Sequence, residues 1–300
     1  MNIAKAVQKR LPGGERFEQL RFATKNAFEG DEIYSGYLHF VKYSFLHNRL
    51  TYKKSPFFND EEKIYDVYGL KIPYVFPEDL WAFWYEFADL ILPYKIELDG
   101  HKFEFERINT LMDEGPYELN DHVSVKENDV VIDCGANIGI FSAIASKKNA
   151  VSYAFEPSKR IRDRYTDVTA KENGSIIVCP FALGNENGTV FFENNTSSIG
   201  SSKLGTENSE NVEEVQITKL DDYVESNGIN QIDFIKADIE GAERDMLTGA
   251  TRILKEMAPK LAICTYHNPD DKEVLENIVR KANPHYIITH SYKKMYAYVP

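Results

Sequence analysis

The sequence predicts an α/β chain: a doubly wound, mostly parallel Rossmann-like sheet behind a helical N-terminal extension. Three observations lead there. From Val130 onward, short apolar runs alternate with segments of helical period, the pattern of a parallel sheet covered on both faces. The first of these runs passes straight into a glycine loop, Gly135-Ala136-Asn137-Ile138-Gly139, and then a helix. Before Leu92-Pro93 the chain is different in kind, crowded with aromatics and lacking the strand–helix alternation. These features divide the chain into an extension at 1–95 and an α/β domain at 96–300.

Within the extension, Glu78 to Leu92 (EDLWAFWYEFADLIL) places apolar residues at i, i+3 and i+4, predicting a helix that Pro93 stops. Ile33 to Asn48 is a second helical candidate, and Tyr52 to Pro77 is turn-rich and expected to be irregular. The aromatic stripe has two readings: core docked on the next domain, or a lid over an acceptor site. Tyr94 to Leu98 and Lys102 to Glu106 alternate as a hairpin would, joined at the turn signal Asp99-Gly100.

The α/β region then reads in order. Strands are predicted at Val130 to Asp133, Val151 to Phe155, Ile176 to Cys179, Thr189 to Glu193, Ile232 to Lys236 and Lys260 to Thr265. Helices are predicted at Ile138 to Lys148, Lys159 to Asn173, Gly241 to Lys255 and Asp271 to Ala282. Tyr286 to Thr289 and Met295 to Val299 close the chain as two strands that pair antiparallel at one edge. Asn194 to Glu214, rich in Ser, Asn and Gly, reads as a loop, either solvated or ordering over the site.

The balance of 47 acidic against 35 basic side chains leaves a net charge of -12, which repels phosphate backbones and anionic membranes. Nucleic acid is therefore not an expected partner. Cys134, Cys179 and Cys264 form no CxxC pair and lie in apolar runs, so they read as buried hydrophobes rather than disulfides or zinc ligands. No metal is expected. Reduced thiols and the lack of a signal peptide or an apolar stretch long enough to span a bilayer suggest a cytoplasmic protein.

The chemistry concentrates at strand ends. In VVIDCGANIGIFS an apolar strand ends at Asp133 and its glycines allow close backbone approach to a ligand. Asp133 has two candidate partners, the loop amides or a ligand ammonium. The loop departs from the dinucleotide pattern GxGxxG, because residue 137 is Asn. Glu156 ends the next strand, about 20 residues beyond the glycines, where an acid suits ribose hydroxyls. In KADIEGAE, Asp238 is a site candidate, while Glu240 either shares a metal with it or caps the following helix. His267, after the fifth strand, is a candidate general base, with Asp270 or Asp271 to orient it; His290 is a weaker candidate.

VVIDCGANIGIFS, YAFEP, FALGNENG, FIKADIEGAERDMLTGA and ICTYHNPDD together resemble the FkbM family of S-adenosylmethionine-dependent methyltransferases, over roughly Glu114 to Pro300. The resemblance implies a sheet of the class I methyltransferase type and S-adenosylmethionine as cofactor. It implies that Asp133, Gly135, Asn137 and Gly139 hold the methionine half and that Glu156 binds the ribose. It further implies that Phe181, Ala182 and Leu183 lie against the adenine, and that Asp238 faces the ammonium or the acceptor. Glu114 and Tyr117 would close over the methionine end. The implied reaction is O-methylation of a sugar, glycan or natural-product hydroxyl, with His267 or Asp238 taking the proton. Two rivals stand beside it: an NAD-dependent oxidoreductase on the same fold, and a non-catalytic cofactor-binding scaffold. A homo-oligomer through the extension is a further expectation.

Overall fold

The computed structural model describes residues 23–38, 57–59, 61–76, 79–193, 203–204 and 212–300. Helices cover 23–28 (α1) and 32–38 (α2), so the predicted helix from Ile33 is present through Leu38; its remainder lies outside the described residues. Asp31 starts α2 by accepting the amides of Ile33 and Tyr34.

The stretch expected to be irregular instead forms a small antiparallel sheet of β1 (Phe58–Asn59), β2 (Ile64–Val67) and β3 (Leu70–Pro73). Tyr68 and Gly69, both at positive φ, make the two-residue turn between β2 and β3. Three of the four residues in each of IYDV and LKIP are buried, which docks this hairpin on the core.

Helix α3 also departs from expectation. It runs Leu80–Glu86, widens into a π turn at Phe87–Ile91 and continues as Leu92–Leu98. Pro93 sits inside it because the carbonyl its ring would crowd, at Asp89, lies in the widened turn, where the Leu92 amide reaches back to Phe87. The predicted hairpin from Tyr94 to Glu106 is therefore wrong, and α3 passes through residue 95. Asp99-Gly100 is a turn, but it ends a helix. The Gly100 and His101 amides bond the carbonyls of Glu97 and Ile96, and Gly100 takes the left-handed conformation.

The α/β region follows the predicted order: β4 (Val130–Cys134), α4 (Ile140–Lys147), β5 (Val151–Phe155), α5 (Lys159–Ile161, π turn Arg162–Thr166, Asp167–Asn173) and β6 (Ile176–Cys179). Then come β7 (Phe181–Leu183), β8 (Gly188–Glu193), β9 (Lys203–Leu204), β10 (Val212–Thr218) and α6 (Leu220–Ser226). The chain ends with β11 (Phe234–Ala237), α7 (Glu243–Thr248), α8 (Thr251–Glu256), β12 (Lys260–Cys264), α9 (Asp271–Ala282), β13 (Ile287–Ser291) and β14 (Lys294–Tyr298). The predicted helix at 241–255 is thus two helices, broken at Gly249-Ala250. Part of the predicted loop at 194–214 is strand, at β9 and the start of β10; the rest of it lies outside the described residues.

The main sheet has the order β13-β14-β12-β11-β4-β5-β6, parallel except for β14, which runs antiparallel to both neighbours. This is the doubly wound sheet the sequence predicts, with the expected antiparallel pair at one edge. A second sheet, β7-β10-β8-β9, carries Phe181 to Leu183. Side chains of α2, β2, β3 and α3 share one continuous core with those of β4, α4 and α5 on one face of the main sheet. The other face packs α6 to α9 over a second core. No helix among the described residues is long and apolar enough to cross a membrane.

Candidate active site

The strand order reverses between β4 and β11, and their carboxyl ends open a crevice of the kind where doubly wound sheets bind ligands. The loops leaving these two strands touch at Gly135, which sits at φ +75; a Cβ there would collide with the Asp238 carbonyl oxygen. Only glycine lets the two loops approach this closely. Between them lies a cavity of about 440 Å³. Its walls include Glu114, Tyr117, Gly135, Asn137, Glu156, Phe181, Ala182, Leu183 and Asp238. Long-range folding thus brings together nine of the residues singled out in the sequence.

Three others lie elsewhere. Asp133 is fully buried beneath the loop, where it pairs with Lys236 at 3.0 Å and accepts from the Ser142 hydroxyl. Of its two candidate partners, a ligand ammonium is replaced by the chain's own ammonium. Lys236 also donates to the Gly135 carbonyl, tying β11 to the glycine loop. Gly139 caps α4 at φ +89, against Thr169. His267 stands behind Asp238, outside the cavity wall, with Nδ1 3.1 Å from Glu243 and Nε2 within 4 Å of Asp238 and Glu240. These contacts are ion pairs whose angles fall outside hydrogen-bond geometry. Burial opposes a charge on this imidazole, but Glu243, Asp238 and Glu240 outweigh it and raise its pKa to about 9.

The orienting roles considered for other groups are also redistributed. Asp270 and Asp271 pair with Arg244 rather than with His267. His290 pairs with Glu276 on α9, away from the cavity. Glu240 does not cap α7. The Ile239 and Gly241 amides are taken by the fully buried Glu243, the first residue of α7, which folds back on the loop.

Asp238 accepts from the Tyr117 and Tyr266 hydroxyls. Burial pushes its pKa up, yet Lys236, Lys294 and His267 hold it below the usual carboxylate range. Tyr117 lies between two lysine ammoniums, with Lys236 5.3 Å and Lys294 4.2 Å from its ring centre. Glu156 accepts the Asn137 and Ser158 amides, one on each oxygen, and burial raises it to about 7.

Two site groups carry no sequence signal of their own, and both come from α3. Glu86 reaches the cavity and accepts from the Asn137 side chain at 2.6 Å. Asp89, in the π turn, accepts the amides of Asp113, Glu114 and Gly115 and so shapes the segment carrying Glu114 and Tyr117. Their helix was legible, but the face they present was not.

The lining suits a cationic amino-acid nucleoside. Seven carboxylates and two lysines surround the cavity, and Lys236 is already engaged by Asp133. Phe181, Ala182, Leu183, Pro157 and Ile161 add apolar groups to the lining. The buried Asn137 Oδ1 has no protein donor. Such a lining repels a pyrophosphate, which speaks against the dinucleotide rival.

Residues 133–295, more than half of the chain, match the profile of the methyltransferase FkbM domain. The chain is similar to the hexuronic acid methyltransferase AglP of Haloferax volcanii, at 32% identity over 133 residues. That stretch is 44% of this chain and 54% of AglP, so the chain spans about half the length of this curated relative. Among solved structures it is similar to a methyltransferase FkbM from Methylobacillus flagellatus, at 24% identity and a TM-score of 0.43, covering 58% of this chain and 44% of that one. It is also similar to Aeropyrum pernix fibrillarin bound to S-adenosyl-L-methionine, at 13% identity and a TM-score of 0.36, covering 58% and 68%. The profile match across the glycine loop, the strand-end acids and the terminal hairpin shows that this chain belongs to the FkbM methyltransferase family.

Proposed function

We propose that this chain transfers a methyl group from S-adenosylmethionine to a hydroxyl oxygen of a sugar or glycan. The observation that carries the reading is the carboxylate-rich cavity at the switch point, whose lining includes the apolar Phe181, Ala182 and Leu183 together with Asp238. The acceptor class follows the relative that methylates hexuronic acid.

In this reading Glu156 holds the ribose hydroxyls, its two oxygens each keeping a lone pair beyond the amides they already accept. Phe181, Ala182 and Leu183 cover the adenine. Asn137, Glu114 and Tyr117 surround the methionine end, with Gly135 giving room and Asp133 holding Lys236 under the loop. S-adenosylmethionine, when bound, supplies an electrophilic methyl carbon on a sulfonium sulfur.

The chain's own task is to orient the acceptor oxygen and receive its proton. Asp238 is ionised throughout the neutral range and takes that proton as the new bond forms. A carboxylate of low pKa is a weak base, so most of the acceleration comes from alignment, worth up to ~7–11 kcal/mol in favourable cases. His267 holds its own proton at neutral pH and acts on Asp238 by charge. The domain division at 1–95 and 96–300 becomes, in the same reading, a division of labour: cofactor groups from the α/β part, a covering wall from α3.

Isothermal titration with S-adenosylhomocysteine tests the cofactor site. Wild type binds, and Glu156→Ala binds at least about tenfold more weakly, the loss of one charge-assisted contact. Incubation with labelled cofactor and a panel of neutral and acidic sugars then tests the reaction. Failure of the folded wild type to bind, or methyl transfer only to nitrogen acceptors, rejects the proposal.

A further inference from the structure

We infer that Glu86, supplied by α3 outside the family-matched segment, is a specificity-determining wall of the cofactor cavity that favours the cationic methyl donor over its neutral thioether product. The inference rests on S-adenosylmethionine being the ligand of this cavity.

Glu86 lies upstream of residues 133–295, so nothing in the shared domain supplies it. The π turn that begins at Phe87 and the docking of α3 bring it over the glycine loop. There it faces the cavity and binds Asn137, whose own Oδ1 is left buried without a donor. Asn137 itself adopts a positive φ (51°), so its side chain is held where the helix can reach it. Around Glu86 stand Asp133 from β4, Asp238 beyond β11, Glu114 from the preceding loop, and the cation Lys236. That cation is committed to Asp133 and to the carbonyls of Cys134 and Gly135. Among the described residues Glu86 makes no ion pair of its own, whereas Asp238 and Glu114 also face Lys294.

S-adenosylmethionine and S-adenosylhomocysteine differ by one methyl group and one positive charge. A half-buried carboxylate excess discriminates on that charge, because like charges in a poorly solvated space repel one another until a cation enters. Burial, with Asp133, Asp238 and Glu114 adding to it against Lys236, pushes Glu86 up to about 8. A bound cation lowers that value, so donor binding releases a proton below pH 8. Preference for the donor then rises as pH climbs through the range from about 7 to 9. The consequence is relief from product inhibition: the thioether left after transfer no longer balances the wall.

The test is titration of the full chain with S-adenosylmethionine and with S-adenosylhomocysteine, without acceptor, at pH 6.5 and 8.5, for wild type and Glu86→Gln. The glutamine keeps the shape and still accepts from Asn137. We expect wild type to favour the donor by about tenfold at pH 8.5, equivalent to one unit of pKa coupling, and by less at pH 6.5. Glu86→Gln should lose most of that preference and its pH dependence, weakening the donor more than the thioether. An unchanged donor-to-product ratio in Glu86→Gln overturns the inference and leaves the cofactor assignment standing. Binding of neither ligand to folded wild type removes both.

Discussion

At the scale of single residues, the site is governed by charges that sit away from the chemistry. His267 has the residue type and strand-end position of a base, yet three carboxylates surround it and keep it protonated. Its folded pKa of about 9 lies above the unfolded value of 6.5. The stability it contributes is therefore fully present below pH 6.5 and is lost as pH rises through 9. Urea denaturation of wild type and His267→Gln should show a gap of about 1–3 kcal/mol at pH 6 that narrows toward pH 9.5. A gap that widens with pH would mean the imidazole is neutral in the fold, and would restore it as a candidate base. Asp133 illustrates the same point with opposite sign. Its partner is Lys236, about a hundred residues away in sequence, so no reading of the local motif distinguishes a ligand contact from this internal pair.

At the scale of elements, the glycine loop and α3 shape the site. Gly135 needs a left-handed backbone and leaves no room for a side chain beside the Asp238 carbonyl. Gly135→Ala should cost at least about 1–2 kcal/mol from the conformation alone. The collision adds to this by pushing apart the ends of β4 and β11, and S-adenosylhomocysteine affinity should fall with it. Calorimetric melting together with titration checks both, and an unaltered melting temperature would show that the two loops are not in contact. Elements were predicted well where the hydrophobic period and the length agreed. Lys159–Asn173 and Asp271–Ala282 are both helical along the whole predicted span. Prediction failed at Tyr94–Glu106, where alternation over five residues mimics a strand while belonging to a helix already under way. It failed again at Ile64–Pro73, whose turn residues Tyr68-Gly69 lack the Asn-Gly signature yet take the same backbone.

At the scale of the whole molecule, the extension and the α/β region form one packed body among the described residues. Asp79, fully buried just before α3, receives two hydrogen bonds from Arg160, one from the Tyr165 hydroxyl and an ion pair from Arg164, all on α5. The Asn173 side chain bonds both the amide and the carbonyl of Lys71, tying β3 to the end of α5. Removing one partner from a buried, hydrogen-bonded ion pair typically costs ~3–5 kcal/mol. Asp79→Ala should cost only part of that, because Arg160 and Arg164 are partly exposed, and should also expose α3 to proteolysis and weaken cofactor binding, because Glu86 is carried by the same helix. Wild-type protease resistance in Asp79→Ala would show that α3 is held by its apolar face alone.

The sequence by itself determined the doubly wound sheet, the position of the crevice and nine of the residues that line it. Those rest on short-range patterns: hydrophobic period, glycines that permit tight turns, and acids placed at strand ends. The tertiary structure alone decided that Asp133 faces a lysine, that His267 faces three carboxylates, and that Glu86 and Asp89 of the extension enter the site. Each of those depends on burial and on the field of residues brought near from distant parts of the chain. Neither burial nor that field is encoded in any local stretch of sequence.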